Sequence, residues 1–172
     1  MARFGINSYQ EQNEMAKKVD QIISKFSHSV VNVLETMAMT EARPGKAYVK
    51  KDNTARGDIS GVIGFSSASG QSRGTMSLTF TEKSALGVIN TMLGETFSSV
   101  NDDVADAVGE LTNMICGQAR KGLAEIGMTY DGAIPTVVSG KEHSIRHVSS
   151  SAILAIPFET KDGPIIVEVC FS

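Results

Sequence analysis

The stretch RGTMSLTFTEKSALGVINTMLG, residues 73–94, changes its periodicity halfway along. Met76, Leu78 and Phe80 alternate with Thr75, Ser77 and Thr79, the period-two pattern of a strand with one buried face. From Thr81 the apolar positions are Leu86, Ile89 and Leu93, spaced three and four residues apart as on a helix. Thr81 suits an N-cap because its hydroxyl can accept a bond from an unpaired backbone N–H, and Gly94 is placed to end the helix. A strand that hands directly to a helix sets the grammar for the rest of the chain.

Upstream lie strand candidates at about 46–51 and 58–66, the second joined to 73–80 by the Ser- and Gly-rich turn Ser66 to Ser72. Before them Val19, Ile23, Phe26, Val30, Val33 and Met37 form the stripe of an amphipathic helix, which starts near Ala16 and stops before Pro44 and Gly45. Residues 1–13 are polar, lack periodicity and read as a flexible N-terminal extension. Downstream, Asn101 is a plausible cap for a second long helix. Asp102, Asp103 and Asp106 place negative charge where its dipole favours it, and Gly127 supplies a stop. Strand candidates follow near 130–138, 143–148, 151–158 and 164–171, the last alternating Val167, Val169 and Phe171 inward.

A long helix followed by several strands thus occurs twice, which suggests an internal pseudo-twofold repeat of architecture. The turns are short, as successive antiparallel strands require. The expected fold is α+β: two long helices and a short one packed on a mostly antiparallel sheet.

Composition bounds the function. A chain of 172 residues with 41% hydrophobic content can build one core, so residues 14–172 are expected to form a single domain. The formal net charge is −3 and the basic residues are scattered, which argues against nucleic acid. Lys17, Lys18, Lys50 and Lys51 form only two doublets, read as solvated. Cys116 and Cys170 lie far apart without a Cys-x-x-Cys spacing, so neither zinc nor a disulfide framework is suggested and a reducing compartment fits. No stretch has the length or apolar content of a signal peptide or membrane span, so a cytoplasmic protein is expected, with no membrane partner.

On the second long helix, advancing about 100° per residue places Val104, Val108, Leu111, Ile115 and Ile126 along one line, which should face the core. Asp106, Glu110, Asn113 and Gly117 cluster roughly opposite, toward solvent. Glu110 and Asn113, three apart, are surface neighbours. Gly109 and Gly117 lie on or beside that face, where helix glycines cost about 1 kcal/mol each relative to alanine, which suggests close approach of something to the backbone. An acid three residues before an amide is by itself a common solvated-face pattern.

The wider pattern is more specific. Asp106-x3-Glu110-x2-Asn113 sits within Gly109-Glu110-Leu111-Thr112-Asn113-Met114, and Pro135 follows within Pro135-Thr136-Val137-Val138-Ser139-Gly140. Together these resemble the CheC/CheX/FliY family of response-regulator phosphatases over about residues 100–141, with Met92-Leu93-Gly94 also compatible. The resemblance implies a phosphatase acting on the aspartyl phosphate of a CheY-like receiver domain in two-component or chemotaxis signalling. Glu110 and Asn113 would be catalytic, with Asp106 and Pro135 as supporting positions. It implies no cofactor of the chain's own, with Mg²⁺ carried by the receiver partner. Two-site members repeat the acid and amide on the first long helix. Here that helix carries His28, Asn32 and Glu35 in reversed order with no matching proline, so the chain is more similar to the single-site CheX branch, whose members are homodimers. Glu110 would engage the receiver's active-site lysine, a general-base role being the rival. The alternative function is a non-catalytic interaction domain similar to the middle region of flagellar switch proteins.

Other constellations are weaker. His143 and His147 are four apart, but in a region read as strand and turn, so ordinary surface histidines are expected rather than metal ligands. Ser66, Ser67, Ser69 and Ser72 lack a Gly-x-Ser-x-Gly frame. Cys116, beside the outward face, has no nearby basic partner in sequence and reads as structural.

Overall fold

The computed structural model describes residues 4–148 and 152–172. Three helices, α1 (Phe4–Ala38), α2 (Glu82–Leu93) and α3 (Asp102–Ala124), lie with strands β1 (Arg43–Pro44), β2 (Tyr48–Lys50), β3 (Ile59–Ser66), β4 (Arg73–Phe80), β5 (Asp131–Gly132), β6 (Thr136–Ser139), β7 (Ile153–Thr160) and β8 (Gly163–Phe171). The fold is α+β, as expected, and every strand pairing is antiparallel.

The two halves interlock. β4 and β8 pair at the centre of the sheet, flanked by β3 and β7. Outside these, β2 from the first half pairs with β7 of the second, and β6 from the second pairs with β3 of the first. The strand order therefore reads alike from either end, helix–strand–strand–strand twice over, with the first strand of each half exchanged. Strand β8 is interior. The outer strands are short.

One face of the sheet meets the helices. Ile59, Ile63, Met76, Leu78, Phe80, Phe158, Ile165 and Val167 are buried there beneath Phe26, Val30 and Leu34 of α1 and Val88 and Ile89 of α2. Helix α1 begins well before Ala16, so residues 4–13 continue the helix instead of forming a loose extension. Side chains 8–18 are all exposed. Gln, Glu, Met, Ala and Lys favour helix intrinsically, and extending an existing helix costs far less than nucleating one, yet a segment that packs on nothing carries no apolar stripe. In α2 the Thr81 cap forms as expected, Thr81 Oγ1 accepting from Ser84 N at 3.1 Å, and Gly94 ends the helix at φ 67°. Its buried side is Ala85, Val88 and Ile89, leaving Leu86 half-buried and Leu93 exposed.

The other face of the sheet is covered too, which alternation in β4 did not foretell. Thr75, Ser77 and Thr79 are all buried. Segment 143–148, read as a strand, makes a single bridge, Ser144 to Thr54, and with residues 51–57 lies across this second face. Both expected surface histidines are committed: His143 Nε2 is 2.6 Å from Ser60 Oγ, and His147 Nδ1 is 2.7 Å from Thr75 Oγ1. For His147 the reason is a buried charge. Lys50, expected to be solvated, bonds Glu168 and donates to the Thr54 carbonyl at 2.6 Å, while His147 Nε2 lies 3.1 Å from the other Glu168 oxygen. Burial pushes the Glu168 carboxyl up, but the bonds to His147 and Lys50 and the Lys50 charge outweigh it, and the group ionises below the usual range.

Glu168→Ala leaves buried Lys50 only the exposed Asp52 carboxylate, 3.7 Å away, and should cost about 3–5 kcal/mol, read as a Tm drop of roughly 6–20 °C. Because the folded carboxyl ionises more readily than the unfolded one, its stabilisation is present above about pH 4.3 and is lost as pH falls through the lower folded value. Melts between pH 7 and 3 should show this component in the parent and lack it in Glu168→Gln.

Candidate active site

Helix α3 is capped at both ends. Asn101 Oδ1 accepts from Val104 N at 2.9 Å, and Asp102 and Asp103 stand in the first turn. At the far end Gly127 takes φ 83° and Met128 N bonds the Leu123 carbonyl at 3.0 Å, turning the chain off the helix axis. Val104, Val108, Leu111 and Ile115 are fully buried along the expected line, while Ile126 falls beyond the helix and is half-buried.

The depth of α3 is set by one glycine. A Cβ on Gly61 of β3 would overlap Thr112 Oγ1 and lie 2.8 Å from Thr112 Cβ, so only glycine lets the helix settle this close to the sheet. Thr112 is the residue before Asn113, and its hydroxyl is turned back to the Val108 carbonyl at 2.7 Å. Gly61 also pairs with Val137 of β6, against which Gly109 is buried. The close approach at Gly109 is thus internal. Gly117 is half-buried, with only Arg120 within reach.

With α3 held there, Asp106, Glu110 and Asn113 are exposed on its outer side. Asp106, Gly109, Glu110, Asn113, Pro135 and Val137 line one groove of about 380 Å³ between α3 and β6, so the four motif positions meet in space. Asp106 and Glu110 also border a second groove of about 460 Å³, whose other wall is Met92 and Leu93 at the end of α2 with Glu95 and Phe97 just beyond it. Asn90 fastens that wall with two bonds to Phe97, Nδ2 to the carbonyl at 3.0 Å and Oδ1 from N at 2.9 Å. The acids therefore form a ridge between two clefts. Among the described residues, neither Glu110 nor Asn113 hydrogen-bonds another side chain.

Other candidates fall elsewhere. Cys116, expected beside the outward face, is fully buried, and burial pushes its thiol up despite the opposing pull of Arg120, which keeps it protonated and unreactive at neutral pH. On α1, Asn32 lines a groove against α3 with Thr36, Gln118 and Lys121, while His28 and Glu35 are exposed and do not join it. Glu95 was not singled out from sequence, and Asp103 only as a helix-dipole charge. Asp103 adds charge to the ridge and Glu95 to the wall facing it, and the hint for Glu95 was its position next to Gly94.

Residues 59–159 match the family described as Chemotaxis phosphatase CheX. The chain belongs to this family. It is 29% identical over 138 residues to the CheY-P phosphatase CheX of Thermotoga maritima, covering 80% of this chain and 86% of the relative. The solved chemotaxis protein CheX from Vibrio vulnificus superposes with a TM-score of 0.80 at 47% identity, covering 88% of this chain and 99% of that one. A CheX–CheY–BeF3–Mg²⁺ complex from Borrelia burgdorferi shares the fold, with a TM-score of 0.73 at 24% identity over 87% of this chain and 96% of that one. The chain is accordingly a chemotaxis-type phosphatase. No helix among the described residues is long and apolar enough to cross a membrane.

Because Gly61 and Thr112 interlock, Gly61→Ala should destabilise the fold by about 1–3 kcal/mol. In a Thr112→Ala background, which removes the hydroxyl and methyl, the same change should cost clearly less. Urea denaturation of the four proteins of this cycle measures the coupling.

Proposed function

We propose that the chain hydrolyses the aspartyl phosphate of a CheY-like receiver domain, with Asn113 orienting the attacking water and Glu110 engaging the receiver's active-site lysine. The observation that carries this reading is the pair itself: an acid and an amide, adjacent, exposed and uncommitted on one rigid helix face, in a groove shared with Asp106 and Pro135.

An aspartyl phosphate is a reactive acyl phosphate, and the receiver would bring its own Mg²⁺ to neutralise the phosphoryl oxygens. What the partner must add is a water in line with the scissile bond. A carboxamide suits this because it offers one acceptor and two donors with no net charge, so Asn113 holds a water without repelling the phosphoryl group. Pre-organisation is the source of the rate: α3 is capped, close-packed and locked in depth, so little entropy is lost in placing the amide. Glu110, on the ridge with Asp106 and Asp103 and facing Glu95 across the second groove, presents negative charge to a lysine, and a charge-assisted bond of this kind contributes about 1.5–3 kcal/mol. A general-base role for Glu110 ranks lower, since a loose phosphoryl-transfer transition state gains little from early proton removal.

The two side chains should fail differently. Asn113→Ala should lower the maximal rate by about 100-fold or more, equivalent to roughly 3 kcal/mol of barrier, while binding of a phosphorylated or BeF3-loaded receiver survives. Glu110→Ala should weaken binding as well as rate. Single-turnover dephosphorylation beside a binding titration separates them, with circular dichroism as folding control. If both variants turn over like the parent, the catalytic assignment falls and a non-catalytic receiver-binding domain replaces it.

The same reading includes a homodimer and cytoplasmic location. Tyr48 and Val49, exposed on outer strand β2, are apolar surface suited to a second copy. Light scattering at micromolar concentration should give twice the 18.3 kDa chain mass; a monomer at every dilution would refute the dimer.

A further inference from the structure

The chain from β5 to β6 runs along β3 but does not keep step with it. Gly132 pairs with Phe65 and Thr136 with Val62, so Ala133, Ile134 and Pro135 oppose only Ile63 and Gly64. One residue is extra, which makes this a β-bulge. Ala133 N still bonds the Gly64 carbonyl at 2.9 Å, and Pro135, with no N–H to offer the ladder, fits the bulge. The residue between them is thrown outward: Ile134 is 89% exposed, the most exposed of the large apolar side chains among the described residues.

Both sides of the bulge are anchored. Tyr130, just before β5, packs edge-on to Phe65 with ring centroids 5.1 Å apart, bonds Ser72 through its hydroxyl at 2.9 Å, and accepts Arg120 Nη1 at its carbonyl at 3.2 Å. On the other side β6 holds four consecutive pairs with β3. A β-branched side chain on such a backbone has few rotamers to lose when a partner covers it. Its neighbours Pro135 and Val137 line the groove of Glu110 and Asn113, so Ile134 stands at the margin of the catalytic face.

We propose that the bulge presents Ile134 as an apolar anchor that seats the receiver domain beside the Glu110–Asn113 face, a positioning residue that takes an apolar patch bordering the receiver's phosphorylation pocket. The inference rests on the phosphatase reading for its partner. The acid ridge on α3 is polar and hydrated, and charge pairs there orient an approaching partner more than they hold it. A desolvated aliphatic anchor at its margin adds an apolar holding interaction beside the charge pairs of the ridge, and a pre-organised one does so at little ordering cost.

The test is steady-state dephosphorylation of a CheY-type receiver charged with a small-molecule phosphodonor, beside titration with the BeF3-loaded receiver. Ile134→Ala should raise KM and the titrated Kd about tenfold, equivalent to about 1.4 kcal/mol, with kcat within a factor of two. Ile134→Asp should do more, and Ile134→Leu should restore parental values. Met15→Ala, at an exposed methionine on α1, should change neither constant. A parental KM and Kd for Ile134→Asp would overturn the proposal, as would a fall in kcat alone, or a drop in oligomer mass for Ile134→Asp that marks the residue as a contact between copies. If the parent binds the receiver through Ile134 but shows no turnover, the anchor stands and the phosphatase reading fails.

Discussion

Contact between α3 and β3 at Thr112 and Gly61 governs the rest of the molecule. A helix over a sheet ordinarily stands off by the thickness of two side chains. Here one side chain is missing, so the helix drops at the point where Asn113 begins its outward turn. Gly61 is also paired to Val137, and Val137 touches Gly109, so the same register places β6, the bulge before it and the helix face as one rigid set. That set fixes where Asp106, Glu110 and Asn113 stand relative to Pro135.

The exchange of outer strands explains how the register is held. β6 belongs to the second half of the chain but completes the first half's β3, as β2 completes β7. Neither half can close its sheet alone. The groove between α3 and β6 is consequently bounded by elements whose relative position depends on the whole sheet, which couples stability of the fold to geometry of the site.

The second face of the sheet carries a different kind of order. Lys50, Glu168 and His147 join three separate stretches of chain through one carboxylate, and Thr75 extends the network into the central strand. Apolar residues would cover the face with equal or greater stability. What the charges add is specificity, since only one placement of segments 51–57 and 140–148 satisfies them. That buried layer lies opposite the helices and leaves the α3 face free for a partner.

The amino-acid sequence alone determined the local elements. Alternation in 73–80, the Thr81 and Asn101 caps, the stops at Gly94 and Gly127 and the apolar line of α3 are short-range patterns, set by backbone geometry within a few residues. That Glu110 and Asn113 share one exposed helix face was legible because helix periodicity puts residues three apart side by side, whereas Pro135 was singled out only through the resemblance to the family motif. Tertiary structure alone decided what depends on distant neighbours: that Lys50 and both histidines turn inward, that Gly109 serves β6, and that one extra residue before Thr136 pushes Ile134 into solvent. Each of these is a relation between segments far apart in the chain, and periodicity, which compares a residue only with its near neighbours, has no term for it.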